Sequence, residues 1–434
     1  GRRRARMGGA VGKVQKFLDD DKAPTKRPVI PGEVEKTIAL ARSGLIRNQK
    51  KAVVNMYRMS QDSDRVRNQI VDEGGVIPLI NMSKAKSTEV VELALKTLGE
   101  LSKTKENRQK IVDNGGCTPM VEGVKHKKYS IRVAAIEAIC HASENDDVRI
   151  KIISAGATPS LLRFLVDAER QDSLEIELKA LTAIRGLSRH PKNHNRMVRD
   201  QALAALYTVV QSPLKSVRHK SLAMQTIAEL CKSDANHKKV TELDGNQGLR
   251  KVILLVDHYD DSVRQYAAKS IESLAANVVL VEKLVEEGVL IPLKKLVKHH
   301  GGKMDLALSG IKALTELAQN PENQKIIVKE GFVPHVLRLA NCGTSEVEKA
   351  ATLCMARLAQ TNVNRPKIIY HGGFKPLIYN AQYGRDELKE QSKEVLNNLF
   401  KMPGAKRDQL VKKAVDKFRS GGQRQRDEGS YGLG

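Results

Sequence analysis

The sequence predicts an all-α protein, a right-handed α-solenoid of about nine three-helix repeats with short basic extensions at both ends, and three observations point there. A Gly–Pro phrase returns along the chain, and an Ala- and Leu-rich helical segment returns in step with it. Hydrophobic residues make up 41% of the 434 residues but aromatic residues only 3%, with no Trp, so the core is built from Leu, Ile, Val and Ala. A chain this long exceeds one ordinary compact core, and a repeat array solves that by extending its core unit by unit.

The phrase reads Gly74-Gly75-Val76-Ile77-Pro78, Gly115-Gly116-Cys117-Thr118-Pro119 and Ala155-Gly156-Ala157-Thr158-Pro159. It returns at Glu287-Gly288-Val289-Leu290-Ile291-Pro292, Glu330-Gly331-Phe332-Val333-Pro334 and Gly372-Gly373-Phe374-Lys375-Pro376. Gly permits the positive φ that closes a helix, and Pro suits the first turn of the next. Each phrase is therefore a corner between a first and a second helix. Between Gly156 and Gly288 lie three repeat lengths, in which Arg199 to Ala204 and Asp244 to Gly248 replace the usual corner.

A third, longer helix follows each corner, as in Ala94-Leu95-Lys96-Thr97-Leu98-Gly99-Glu100-Leu101-Ser102, and again at 180–188, 223–231, 267–275 and 311–318. Its apolar residues keep helical spacing, and its small ones let neighbouring helices approach closely. Three helices per repeat, the Gly–Pro corner and the Ala-Leu-rich third helix together resemble armadillo repeats across residues 33–400.

In that family the third helices line a concave groove. The resemblance thus implies groove positions at Arg58, Glu100, His141, Gly186, Glu229, Ser273, Glu316, Arg357 and Asn398, 41 to 45 residues apart. Nuclear import adaptors of the family bind basic peptides with a Trp and an Asn four residues apart on this helix. Here the Trp position holds Val54, Lys96, Glu137, Thr182, Gln225, Lys269, Lys312, Leu353 and Glu394, and the Asn position is Asn only at Asn398. Recognition of nuclear localisation signals is not expected.

Lys and Arg outnumber Asp and Glu by 74 to 50, a net +24 that favours acidic partners. Within the repeats the cations gather mainly in expected connections: Lys125, Lys127 and Lys128; Arg189 and Lys192; Lys215, Arg218 and Lys220; Lys298 and Lys303. They predict a basic rim. Residues 1–32 form a basic arm with Arg2, Arg3, Arg4 and Arg6, a short amphipathic stretch marked by Val11, Val14, Phe17 and Leu18, and a Pro-containing linker. Residues 401–434 hold Lys412, Lys413 and Lys417 around an apolar stripe that predicts a capping helix, followed by a Gly-rich tail.

No catalytic, cofactor or metal site is expected. Gly8 to Lys13 superficially resembles a phosphate loop, but its spacing is one short and no strand precedes it. His299-His300 and Cys140-His141 lack further ligands, and Asp146-Asp147 and Asp260-Asp261 sit where helices begin. Five cysteines without a close pair predict a reducing compartment, cytoplasm or cytoskeleton first, with an organelle matrix the alternative for a processed N-terminus. No stretch reaches the apolar length of a membrane span, and peripheral membrane contact is not expected either. The expected function is a non-enzymatic scaffold or adaptor in a larger assembly, binding several proteins, at least one of them acidic. The alternatives are an RNA-binding component of a ribonucleoprotein and a microtubule- or axoneme-associated protein.

Overall fold

The computed structural model describes residues 28–43, 45–166, 174–298, 303–384, 386–401, 403–405 and 407–409, and these are all-α. Within them the first repeat has two helices, Glu33–Arg42 and Ile46–Ser60, and eight further repeats follow. Repeat two is Asp64–Asp72, Val76–Met82 and Thr88–Leu101; repeat three is Lys105–Asp113, Cys117–Val124 and Tyr129–Ala142. Repeat four is Asp146–Ser154, Ala157–Val166 and Leu174–Ser188. The chain forms two compact units, one ending at His190 after repeat four and the other beginning at Pro191.

In the second unit the third helices are Val217–Leu230, Asp261–Ala275, Met304–Leu317, Ser345–Gln360 and Asp386–Phe400, belonging to repeats five to nine. Within each unit, third helices pack on their neighbours. The small residues explain how closely. A Cβ added at Gly99 would lie 3.2 Å from Ala138 Cα on the adjacent third helix, while Ala94, Leu95 and Leu98 are fully buried beside it. Truncating a core leucine such as Leu98 to Ala would cost about 2–5 kcal/mol.

The corners follow the sequence closely. Gly74 has φ +78°, and its N–H bonds Val71 O at 3.0 Å while the Gly75 N–H reaches back to Ile70 O at 2.8 Å, the paired closure of a Schellman motif. Gly75 has no room for a side chain, since a Cβ would stand 2.7 Å from Ile70 O. At the two atypical corners left-handed backbone recurs at residues other than glycine: Gln201 takes φ +69°, and Asp244 and Asn246 take +52° and +70° on either side of Gly245 at +65°. Local backbone geometry, not the Gly–Pro phrase, is what the repeat requires there.

A second periodic device joins consecutive repeats. The last carbonyls of a third helix lack helical partners, and polar side chains from the following first helix satisfy them. Arg108 Nε donates to Ser102 O at 2.8 Å, Asn236 Nδ2 to Leu230 O at 2.9 Å, Gln324 Nε2 to Ala318 O at 2.9 Å and Arg365 Nε to Ala359 O at 2.9 Å. Each reaches six residues back, so Asn and Arg in these short helices serve packing.

Candidate protein-binding face

Third-helix side chains pointing away from the core form the candidate face, and the two units present different chemistry on it. In the first unit the charges close on each other. Arg58 bonds the Glu33 carboxylate, with side chains only 8% and 10% exposed, and Glu100 accepts Lys103 Nζ at 2.7 Å on both oxygens. Glu92, which the sequence reading did not single out, gathers Lys96 Nζ at 2.9 Å, Lys128 Nζ at 3.1 Å and the Ser130 hydroxyl. Burial alone would raise its pKa, but those three hydrogen bonds and the Lys96 charge overcome it and hold the carboxyl at about 2.

Lys179 likewise bridges to Glu137 at 2.7 Å from the next third helix, and that hydrogen bond raises the lysine pKa. His141 is half-buried, and burial with the Lys103 charge lowers its pKa against the pull of Glu100, Glu144 and Glu137, which favours a neutral ring. Gly186 is a packing position: a Cβ there would meet Ser143 Oγ at 2.7 Å.

The second unit leaves more open. Glu229 pairs with Lys232 at 2.7 Å, Arg357 with Glu316 at 3.3 Å, and Asn398 is buried and accepts from Lys401 Nζ at 3.0 Å. Between these closed positions lies a cleft of about 380 Å³ lined by Glu229, Lys269, Glu272, Ser273 and Lys312. A second cleft of about 380 Å³ shares Glu272 and Lys312 and continues to Glu316, Lys349 and Leu353. Burial raises the Glu272 pKa, with Lys312 opposing and Glu316 reinforcing the shift. Lys269 Nζ lies 4.8 Å from the Tyr266 ring centroid, and Lys312 has no ion pair within 4.0 Å among the described residues. Neither Glu272 nor Lys312 was singled out as a site from sequence; their signal was a place one residue before, and four residues before, an expected groove position.

The basic residues do not share one type of connection, which corrects the single rim expected from sequence. Lys125, Lys127 and Lys128 in the first unit, and Lys215 in the second, occupy second-to-third-helix connections; Lys298 ends a second helix and Lys303 precedes a third. Arg189 instead follows the third helix of repeat four, Lys192 lies on helix Pro191–Arg199, and Arg218 and Lys220 lie on helix Val217–Leu230. Lys220 is buried, its Nζ 5.9 Å from the Tyr259 ring centroid. Several of the others are already neutralised: Lys125 by Glu122 at 2.9 Å, Lys128 by Glu92 and Lys303 by Asp261.

Arg2, Arg3, Arg4 and Arg6, the amphipathic stretch from Val11 to Leu18, Lys412, Lys413, Lys417 and the expected capping helix lie outside the described residues, as do His299 and His300. Among the described residues no three His, Cys, Asp or Glu side chains converge as metal ligands, and no helix is long and apolar enough to cross a membrane. Asp260 caps a helix by accepting the N–H groups of Ser262 at 3.0 Å and Val263 at 3.1 Å, whereas Asn145, not Asp146, caps the helix of repeat four.

No family model and no curated protein matches the sequence. Among solved structures the chain is similar to an engineered protein, with a TM-score of 0.77 at 21% identity over 89% of this chain and 93% of that one. A designed armadillo repeat protein aligns with a TM-score of 0.48 at 19% identity over 56% of this chain and 100% of that one. The likeness to the engineered protein is one of fold alone.

Proposed function

We propose that this chain is a non-enzymatic scaffold or adaptor that holds other proteins within a larger assembly, using the third-helix faces of its repeats, with acidic segments among its preferred partners. The observation that carries this reading is the pair of contiguous clefts in the second unit, where Lys269, Glu272 and Lys312 face outward without closing on each other. Each cleft is within the size range of a ligand site, and their shared wall lets one extended segment occupy both. Two cations beside a carboxyl that burial makes reluctant to ionise suit a partner bringing its own carboxylates.

A nucleic-acid reading is weaker on the same grounds. Lys125, Lys128 and Lys303 have acidic partners within the chain, Lys220 is buried, and the connections carry few aromatic side chains for bases to stack on. The test is cross-linking mass spectrometry on the native assembly, with nuclease treatment and microtubule co-sedimentation in parallel. Protein cross-links to residues 265–273 and 305–316 that survive nuclease support the proposal. Release by nuclease, pelleting with microtubules, or migration alone at monomer size would overturn it.

A further inference from the structure

The second helices of repeats six to nine, Gly248–Leu255, Leu290–Lys298, Val333–Leu339 and Phe374–Tyr383, carry seven Lys or Arg residues and no Asp or Glu. They lie side by side. Lys295 pairs with Asp257, just past the preceding second helix, Arg338 Nη2 donates to Lys298 O at 2.8 Å, and Asn380 Nδ2 donates to Ala340 O at 2.9 Å. The second helices of repeats two to four hold only Arg163 and Glu122 as charged residues, so the excess is particular to this face. No second-helix residue lines the two clefts assigned above.

Apolar side chains share the face with the cations. Ile291, Lys295 and Lys298 fall at i, i+4 and i+7, and Arg250 with Leu254 and Lys375 with Tyr379 repeat the i, i+4 spacing of one helical side. Leu254 is 66% exposed, Ile291 69% and Tyr383 71%, and Ile378 and Tyr379 are exposed beside them. The bordering acids do not cancel the charge. Asp244 is closed by Lys251 and Asp257 by Lys295, while Glu286, Glu287 and Glu330 sit at the corner ends of the helices, away from Lys298, Arg338 and Tyr383. Arg250, Lys298 and Lys375 are exposed with no ion pair within 4.0 Å among the described residues, and Lys294 and Arg338 donate to backbone carbonyls, which leave their charge unmet.

We infer that this second-helix face docks on an anionic membrane surface. The cations meet lipid phosphates and carboxylates, and the exposed Leu, Ile and Tyr tips enter the headgroup boundary, where amphipathic tyrosine rings are at home. Four helices with axes about 8–10 Å apart make a strip roughly 25–30 Å wide, enough to meet several headgroups at once. RNA would use the cations alone and leave Leu254 and Ile291 without a role. The inference goes beyond the scaffold reading and reverses the sequence-based expectation of no peripheral membrane contact. These cations are spread over four repeats and meet only when the helices stack.

The test uses the full chain and vesicles of phosphatidylcholine, alone or with about a third phosphatidylserine. The chain has no Trp, so Tyr379→Trp supplies a single fluorescent reporter on this face. Its emission should shift to the blue on the mixed vesicles, be quenched by brominated acyl chains, and lose both responses as salt is raised. Partition measured by co-sedimentation should fall about 10- to 100-fold in Arg250→Glu/Lys298→Glu/Lys375→Glu. It should fall about tenfold in Leu254→Ser/Ile291→Ser, whose charges are intact. Lys127→Glu, at an exposed cation of the first unit, should keep partition within about twofold. Sedimentation no better with phosphatidylserine than without, unchanged emission from the Tyr379→Trp reporter, or an equal loss in Lys127→Glu would each overturn the inference. So would a larger reporter response to single-stranded RNA or to a Glu-rich peptide at equal charge, which assigns the face to that polyanion instead. None of these outcomes bears on cross-links at 265–273 and 305–316, so the two readings fail separately.

Discussion

Glu92 and Glu272 each lie on a third-helix face, yet their surroundings drive them in opposite directions. Glu92 in repeat two is met by Lys96, Lys128 and Ser130, and those contacts hold its carboxyl at about 2. Glu272 in repeat six makes no ion pair within 4.0 Å among the described residues, and burial raises its pKa. The difference teaches that a repeat face is not uniformly a binding face. Where a charge is closed by its own chain it supports packing, and where it is left open it costs stability and is available to a partner.

Binding should show the largest effect. Reversing the open cations with Lys269→Glu/Lys312→Glu should weaken an acidic partner segment by about 10- to 100-fold, as loss of facing charge pairs does. A Glu-rich peptide titrated by fluorescence anisotropy serves as the probe. Lys179→Glu, which breaks a closed pair in the first unit, should leave that affinity within about twofold while lowering stability by about 1 kcal/mol or less, because the half-exposed Glu137 loses its partner. Equal losses of affinity in both variants would erase the distinction between the faces.

Removing one charge from each side sharpens it further, because the predicted signs are opposite. Glu92→Gln should destabilise the native state by about 2–3 kcal/mol at neutral pH, measured by urea unfolding. The Glu92 carboxyl is lowered in the folded state, so its stabilisation is complete above the usual value of 4.5 and is lost as pH falls toward about 2. The parent and Glu92→Gln curves should converge over that interval. Glu272 is raised instead, so its cost appears as pH rises above the usual value and is complete above the raised one. Glu272→Gln should therefore gain stability near pH 7, by less than about 1 kcal/mol. A loss there would mean Glu272 has a partner that its geometry does not show.

Much of this architecture was legible in the sequence because repetition carries the signal. Gly74, Gly115, Gly156, Gly288, Gly331 and Gly372 all take positive φ at the corners their phrase marks. The corners at Gln201 and Asp244 were harder to read because residues other than glycine adopt the left-handed turn there, at an energetic cost that packing overrides. The binding face was less legible still. Glu92 and Lys128 are 36 residues apart, and Lys179 and Glu137 are 42 apart; such pairs depend on the offset between adjacent helices, which spacing within one helix does not reveal. Lys220 looked like a connection residue, yet its helix starts at Val217 and turns it inward, where burial and Tyr259 hold it. Connection composition alone overstates the free positive charge.

The smallest expected effect probes how firmly the first unit's face stays closed. Cys140 lies on the third helix of repeat three beside the Glu137–Lys179 pair; burial, with Glu137 adding, pushes its thiol up to about 12. Burial likewise raises Cys117 to about 11 and Cys231 and Cys354 to about 12. At pH 8 a thiol at 12 is ionised to only about one part in ten thousand, and the thiolate is the reactive form. Half-buried Cys342, in the connection before helix Ser345–Gln360, should then be the one position that iodoacetamide labels quickly in the native chain, with all five labelled in urea. Peptide mapping over a time course measures this. Fast labelling at Cys140 would mean that the third helices of repeats three and four separate readily, and that the closed face is closed only part of the time.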